Sequence, residues 1–180
     1  MKQKIIFALF ITMLSITCFA QAKNKIKFTS INQVGTLSGE SSTEFQMQTI
    51  NGLSYKTISI GAGVGVDYYN ELTIPVFIDL RKKFFNKSGP FVFGDAGYSV
   101  PIKNSLDEFE MNRKGGMYYA LGLGYEFPID KKVSAVFDLG YSYKRFSKIM
   151  DDEPWRSSIH QFATYDYSLN RISVKAGLHF

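Results

Sequence analysis

Most of this chain repeats with a period of two, in segments longer than ordinary globular strands. In TISIGAGVGVDYY, residues Ile58, Ile60, Ala62, Val64, Val66 and Tyr68 fall on one face. Ser59, Gly61, Gly63, Gly65 and Asp67 fall on the other. ELTIPVFIDLRKK, GGMYYALGLGYEF, KKVSAVFDLGYSYK and LNRISVKAGLHF alternate in the same way. PFVFGDAGYSV and TEFQMQTING do so less cleanly, and KIKFTSINQVGTL least of all. Period two is the strand period, so these segments predict eight strands. Globular strands run ~5–6 residues, whereas a strand crossing a bilayer at a tilt needs ~9–11. Length therefore carries as much information as period.

The two faces differ in a way that settles which one points outward. One carries large aliphatic and aromatic side chains. The other carries glycine, serine and charge, a strange exterior for a soluble sandwich. Turned inside out, both faces make sense: apolar residues meet lipid, and small and charged residues fill a narrow lumen. An eight-stranded barrel has an interior only just wide enough for side chains, and inward Gly61, Gly63, Gly65, Gly122 and Gly124 make room for long ones from other strands. Aromatics cluster at the strand ends, with Tyr68, Tyr69, Tyr98, Tyr119, Tyr141 and Tyr143 towards one rim. Phe84, Phe85, Tyr125, Phe127 and Phe180 lie towards the other. Two such belts mark the two membrane interfaces. Connections alternate too. NGLSYK, KKFFNKSGP and FPIDKK are short, and the segments 101–115 and 145–168 are long. Tyr69–Glu71 is short for the outer rim. The expected fold is all-β: an eight-stranded antiparallel up-and-down transmembrane β-barrel, short turns periplasmic.

The N-terminus fits that compartment. MKQKIIFALFITMLSITCFAQA has Lys2 and Lys4, then an apolar run, then small residues at Ala20 and Ala22. That is the anatomy of a cleaved signal peptide. The expected division is a signal peptide over 1–20 and a barrel over 21–180. Cys18, the single cysteine, leaves with the signal, so the mature chain has no disulfide, thiolate metal site or cysteine nucleophile. Loss of Lys2 and Lys4 takes the formal charge from +5 to +3. With no basic block, nucleic acid is excluded as a partner.

On these features, over roughly residues 24–180, the mature chain resembles the small eight-stranded outer-membrane barrels, the OmpX-like proteins and the transmembrane domain of OmpA. Leu178 and Phe180 are similar to the C-terminal signal that the family presents to the barrel-assembly machinery. The family's usual glycine in that signal is absent: Lys175 takes its place, and Gly177 lies nearer the end. The resemblance implies a porin-like envelope protein of a Gram-negative outer membrane, set among lipid and lipopolysaccharide.

Function is carried less clearly. Lumen-facing charges sort by strand position into three layers. Asp67, Lys144 and Arg171 fall near the outer rim, and Asp95, Asp138 and Lys175 near mid-membrane. Asp79, Arg81, Glu126 and His179 fall near the periplasmic end. Buried charges must be paired or hydrated, so the expected role is a salt-bridged plug; a small solute or ion path is the alternative. Some small outer-membrane barrels modify lipid A with serine, histidine and an acid, and Ser157, Ser158, His160 and Asp166 lie at the right end. The lipase motif itself is absent, because Phe162 and Ala163 follow His160. GAGVG at 61–65 is no phosphate loop, since its glycines have period two and no helix follows. His160 and His179 are too far apart for a metal pair. The expectation is a non-enzymatic barrel without metal or cofactor, structural, adhesive or an accessory subunit of an outer-membrane complex. Arg113, Lys114, Trp155, Arg156 and Tyr165 are the candidate loop contacts, since Arg, Trp and Tyr dominate contact hot spots.

Overall fold

A computed structural model describes residues 26–39, 42–68, 72–85, 88–102, 110–151 and 162–180. The expected signal peptide lies outside them, as do Tyr69, Trp155, Arg156, Ser157, Ser158 and His160. The strands are β1 (Lys27–Ser38), β2 (Thr43–Tyr55), β3 (Ile58–Tyr68), β4 (Leu72–Lys83) and β5 (Pro90–Pro101). There follow β6 (Glu110–Lys114), β7 (Gly116–Pro128), β8 (Ser134–Asp151) and β9 (Phe162–His179). β6 and β7 both pair with β8 and are parted only at Gly115, so they form one stave of eight.

All pairings are antiparallel between sequential staves, and β9 returns to pair with β1 from Ile31↔His179 to Ser38↔Ile172. Ser30 and Phe180 exchange backbone hydrogen bonds at 3.2 and 2.9 Å. The sheet is therefore closed, and the barrel wall has no free edge. Pro75 sits within β4, and the β3–β4 ladder skips from Val64↔Val76 to Asp67↔Thr73 around it, as a residue without an N–H dictates.

Alternation sorts the faces as expected. Ile60, Val64, Ile78, Leu80, Leu121, Leu123, Leu139 and Val174 are exposed on the outside, and the acidic and basic residues are buried inside. The inward face is less uniformly small than its glycines suggest: Phe77, Phe91, Phe93 and Tyr118 are also buried there. Glycines seat these rings. A Cβ on Gly63 would stand 2.4 Å from the Phe77 ring, and one on Gly124 would stand 2.2 Å from Phe91.

The two ends differ. At one, Lys56 and Thr57 alone turn β2 into β3, with Lys56 at φ 55°. At the other, the segment 145–168 is not a long loop throughout. β8 and β9 stay paired from Arg145↔Ser168 to Asp151↔Phe162, well above the Ser38↔Ile172 level where β1 stops. Cross-strand pairs hold this projection: Phe146 stacks on Tyr167 with centroids 5.1 Å apart, and Arg145 bridges Asp166 at 2.9 Å. β6 joins the same sheet through Glu110–Lys114, so the segment 101–115 is also partly strand. Pairing of this kind overrides the loop-like composition that sequence presents.

Candidate functional site

The lumen is the chemically dense part of the molecule. Near the long-hairpin rim, Lys144 is wholly buried and donates to Asp67 at 2.5 and 2.6 Å and to Thr73 at 2.7 Å. Thr73 in turn donates to Asp67. The ammonium also lies 5.6 Å above the Tyr118 ring. Arg171 is buried near the same rim, as expected, but it reaches to the β1–β2 connection. Its guanidinium bonds the Leu37 carbonyl at 3.3 Å and Ser42 at 3.0–3.2 Å, which pins the β1–β2 connection. A guanidinium suits this task because its fan of donors can take several carbonyl acceptors at once.

The middle layer is larger than expected. Asp79 and Arg81, placed near the periplasmic end by strand position, belong to it. Arg81 bridges Asp79 at 3.0 Å and Asp138 at 3.1 Å, and donates to Gln33 at 3.3 Å. Strand tilt and stagger in a barrel displace depth from sequence position, and a long arginine adds its own reach. Gln33 donates to Asp138 at 2.8 Å and accepts from Gln48 at 2.9 Å. Lys175 lies 3.7 Å from Asp95 and 3.9 Å from Asp138, its register partner. Phe91 and Phe93 complete the layer: Arg81 lies 5.3 and 5.4 Å from their ring centres, and Lys175 lies 4.6 Å from Phe93. Arginine and lysine over aromatic faces are attractive, more so when desolvated.

Charge does not balance here. Asp79, Asp95 and Asp138 face Arg81 and Lys175. Asp95 stands directly opposite Asp79 in the β4–β5 ladder, is 2% exposed, and neither of its carboxyl oxygens has a hydrogen-bond partner. Among the described residues no group of three or more His, Cys, Asp or Glu is arranged to hold a metal ion.

At the short-turn end Glu126 meets Lys83 at 2.6 Å and His179 at 3.3 Å. Lys83 was missed from sequence, although it continues the inward series Asp79, Arg81. Gln33, Gln46 and Gln48 were missed because they lie in the two strands with the poorest alternation. Gln46 donates to Ser173 at 2.6 Å and to the Thr36 carbonyl at 3.1 Å. Beneath Arg81 and Phe91 lies a cavity of about 10 Å³, and a vestibule of about 940 Å³ at the short-turn rim shares Lys83, Glu126 and His179 with it.

The outer candidates remain separate from the lumen. Lys114 and Tyr165 are exposed, as are Leu178 and Phe180, and Arg113 lies in β6. Asp166, the acid of the lipase-like set, bonds Ser147 and Arg145. Those bonds hold its carboxyl below the usual range, Ser147 contributing most.

No family model and no curated protein matches the chain. Among solved structures, it is similar to outer membrane protein AlkL, determined by solid-state NMR in DMPC lipid bilayers. The TM-score is 0.53 with 12% identity, over 87% of this chain and 90% of that one. At that identity the likeness is one of fold: this chain is a closed, eight-staved, all-antiparallel β-barrel.

Proposed function

We propose that the chain is an integral protein of a Gram-negative outer membrane, exported by its signal peptide. In this reading its lumen is a plug, and it works through its surface rather than through catalysis or conduction. One observation carries this: charges and aromatic rings interlock across the barrel interior from Lys144 down to Lys83, and the cavity beneath Arg81 holds only about 10 Å³. Outside, an apolar belt of exposed Ile, Leu and Val calls for lipid, and the AlkL-like fold agrees with it. The structural or adhesive role falls to the projecting sheet of β6, β8 and β9. Its outer edges have no pairing strand among the described residues, and open edges are templates for an added strand. Lys114 and Tyr165 stand on that projection, and a larger outer-membrane complex is the natural setting for it.

Reconstitution into planar bilayers tests the plug. The expected result is a heat-modifiable, folded barrel with no step conductance. Porin-scale steps from the folded protein overturn the reading in favour of a channel. Lipid A mass spectra that are the same with and without the protein are expected; a shifted lipid A mass overturns the non-enzymatic assignment.

A further inference from the structure

The vestibule at the short-turn end is charged in a way the plug does not need. Lys27, Lys56, Lys83, Lys131 and Lys132 line it, together with His179. Its one acidic side chain, Glu126, is already bridged by Lys83 and His179. Lys27, Lys56, Lys131 and Lys132 are exposed, and among the described residues no carboxylate pairs with any of them. They come from three places in the chain, and barrel closure gathers them around one cavity. Like charges held around a concave mouth reinforce each other's field and raise the local concentration of anions.

The chemistry of the mouth narrows the ligand. Apart from His179, its cationic side chains are all lysines, and Arg81, further in, is held by Asp79 and Asp138. Ammonium groups act as point charges without a fixed donor plane, so the number of charges on the anion decides the fit, and a phosphate carrying several charges can meet several lysines at once. About 940 Å³ admits several phosphate groups, whereas the cavity of about 10 Å³ beneath Arg81 is too small for one. We infer that this vestibule is a binding site for a multiply charged phosphate ligand, entering from the short-turn side and stopping at Arg81. In the outer-membrane reading that side is periplasmic, and the phosphate is either free in solution or carried on a phospholipid headgroup.

The test uses the whole mature barrel refolded in uncharged detergent, so it does not depend on membrane orientation. Calorimetric titration with tripolyphosphate at low salt is expected to show saturable binding. Lys27→Gln/Lys131→Gln/Lys132→Gln should weaken it at least tenfold, and Lys114→Gln, at the far rim, should leave it unchanged. The substituted lysines are exposed rim residues, and heat-modifiable migration checks that the triple variant is folded. In a second arm, nanodiscs of phosphatidylcholine with phosphatidic acid, whose phosphomonoester can carry two charges, are analysed by native mass spectrometry. Phosphatidic acid retained by the parent and lost from the triple variant assigns the lipid source. Tripolyphosphate binding without such retention assigns the soluble one. Absence of saturable binding in both arms overturns the inference, and so does equal weakening by Lys114→Gln and the triple variant.

Discussion

Two ion clusters occupy the same lumen and solve the same problem differently. In the outer one, Lys144 meets Asp67 directly, and Lys144, Asp67 and Thr73 bond one another within hydrogen-bond distance. In the middle one, three carboxylates share two cations. The hydrogen bonds concentrate on Asp138, and Asp95 keeps only its ion pair with Lys175 at 3.7 Å. The difference teaches that burial alone does not rank these residues. A charge that several partners converge upon is costly to remove, whereas a carboxylate surplus to its layer is not. The cost of breaking a buried pair is mainly that of the charge left behind.

The sharpest way to break the comparison is to remove the outer cation. Lys144→Met leaves Asp67 buried with only Thr73 as a side-chain partner from this trio, at an expected cost of about 3–5 kcal/mol. In urea unfolding of the detergent-refolded barrel this appears as a large fall in midpoint. Lys114→Met, exposed on the projection, is expected to change stability by less than about 0.5 kcal/mol. Equal midpoints for the two variants would show that the lumen pair is fully hydrated and structurally idle.

Within the middle layer, Asp138→Asn and Asp95→Asn isolate convergence from burial. Both carboxylates are 2% exposed. Asp138→Asn weakens bonds from Arg81, Gln33 and Lys175 together, with an expected loss of about 2–3 kcal/mol, the scale of charged hydrogen bonds. Asp95→Asn relieves the like-charge pair with Asp79 and leaves Lys175 its contact with Asp138. Its expected effect lies between no change and a gain of stability. A loss as large as that for Asp138→Asn would mean that Lys175 depends chiefly on Asp95.

Aromatic packing fills part of the same lumen, and Gly63→Ala measures its contribution. The new methyl meets the Phe77 ring, which is buried against Tyr118 with centroids 5.4 Å apart. Overpacking of this kind costs about 1–3 kcal/mol. Gly63→Ala/Phe77→Leu should recover part of the loss, since leucine vacates the space. No recovery would assign the cost to backbone displacement instead.

These contrasts also show how much was legible beforehand. Face assignment was legible residue by residue, because strand alternation is strict: each buried charge named from the sequence does lie inside. Phe77, Phe91, Phe93 and Tyr118 were placed on the inward face by the same alternation, yet glycine dominated the reading of that face. Depth was legible in part. Lys144 does meet Asp67, and Lys175 does meet Asp95 and Asp138, as their strand positions suggested. Arg81, however, reaches Asp138 from a strand position that pointed to the periplasmic end. That depends on stagger between strands, a quantity fixed only when the barrel closes. The projecting hairpin was hidden for a different reason. Its polar residues satisfy each other across strands, so it shows no apolar stripe to betray it.

That hairpin yields the smallest effect. Arg145, Ser147 and Asp166 are solvent-exposed cross-strand neighbours, unlike the buried Lys144 pair one turn of the register below. Ser147, and then Arg145, hold the Asp166 carboxyl below its ordinary value. The folded pKa is therefore lower than the unfolded one. The contribution of this contact is fully present above the ordinary aspartate range, near 4, and fades as pH falls through the depressed folded value. On acidification through that range the 145–151 and 162–168 amides of the parent should lose protection against hydrogen exchange, measured against their intrinsic exchange rates, whereas those of Asp166→Asn should not. The barrel amides of residues 136–143 should show no such change. A parallel response in Asp166→Asn would remove Asp166 as the titrating group, and the hairpin would then owe its order to Phe146 and Tyr167 alone.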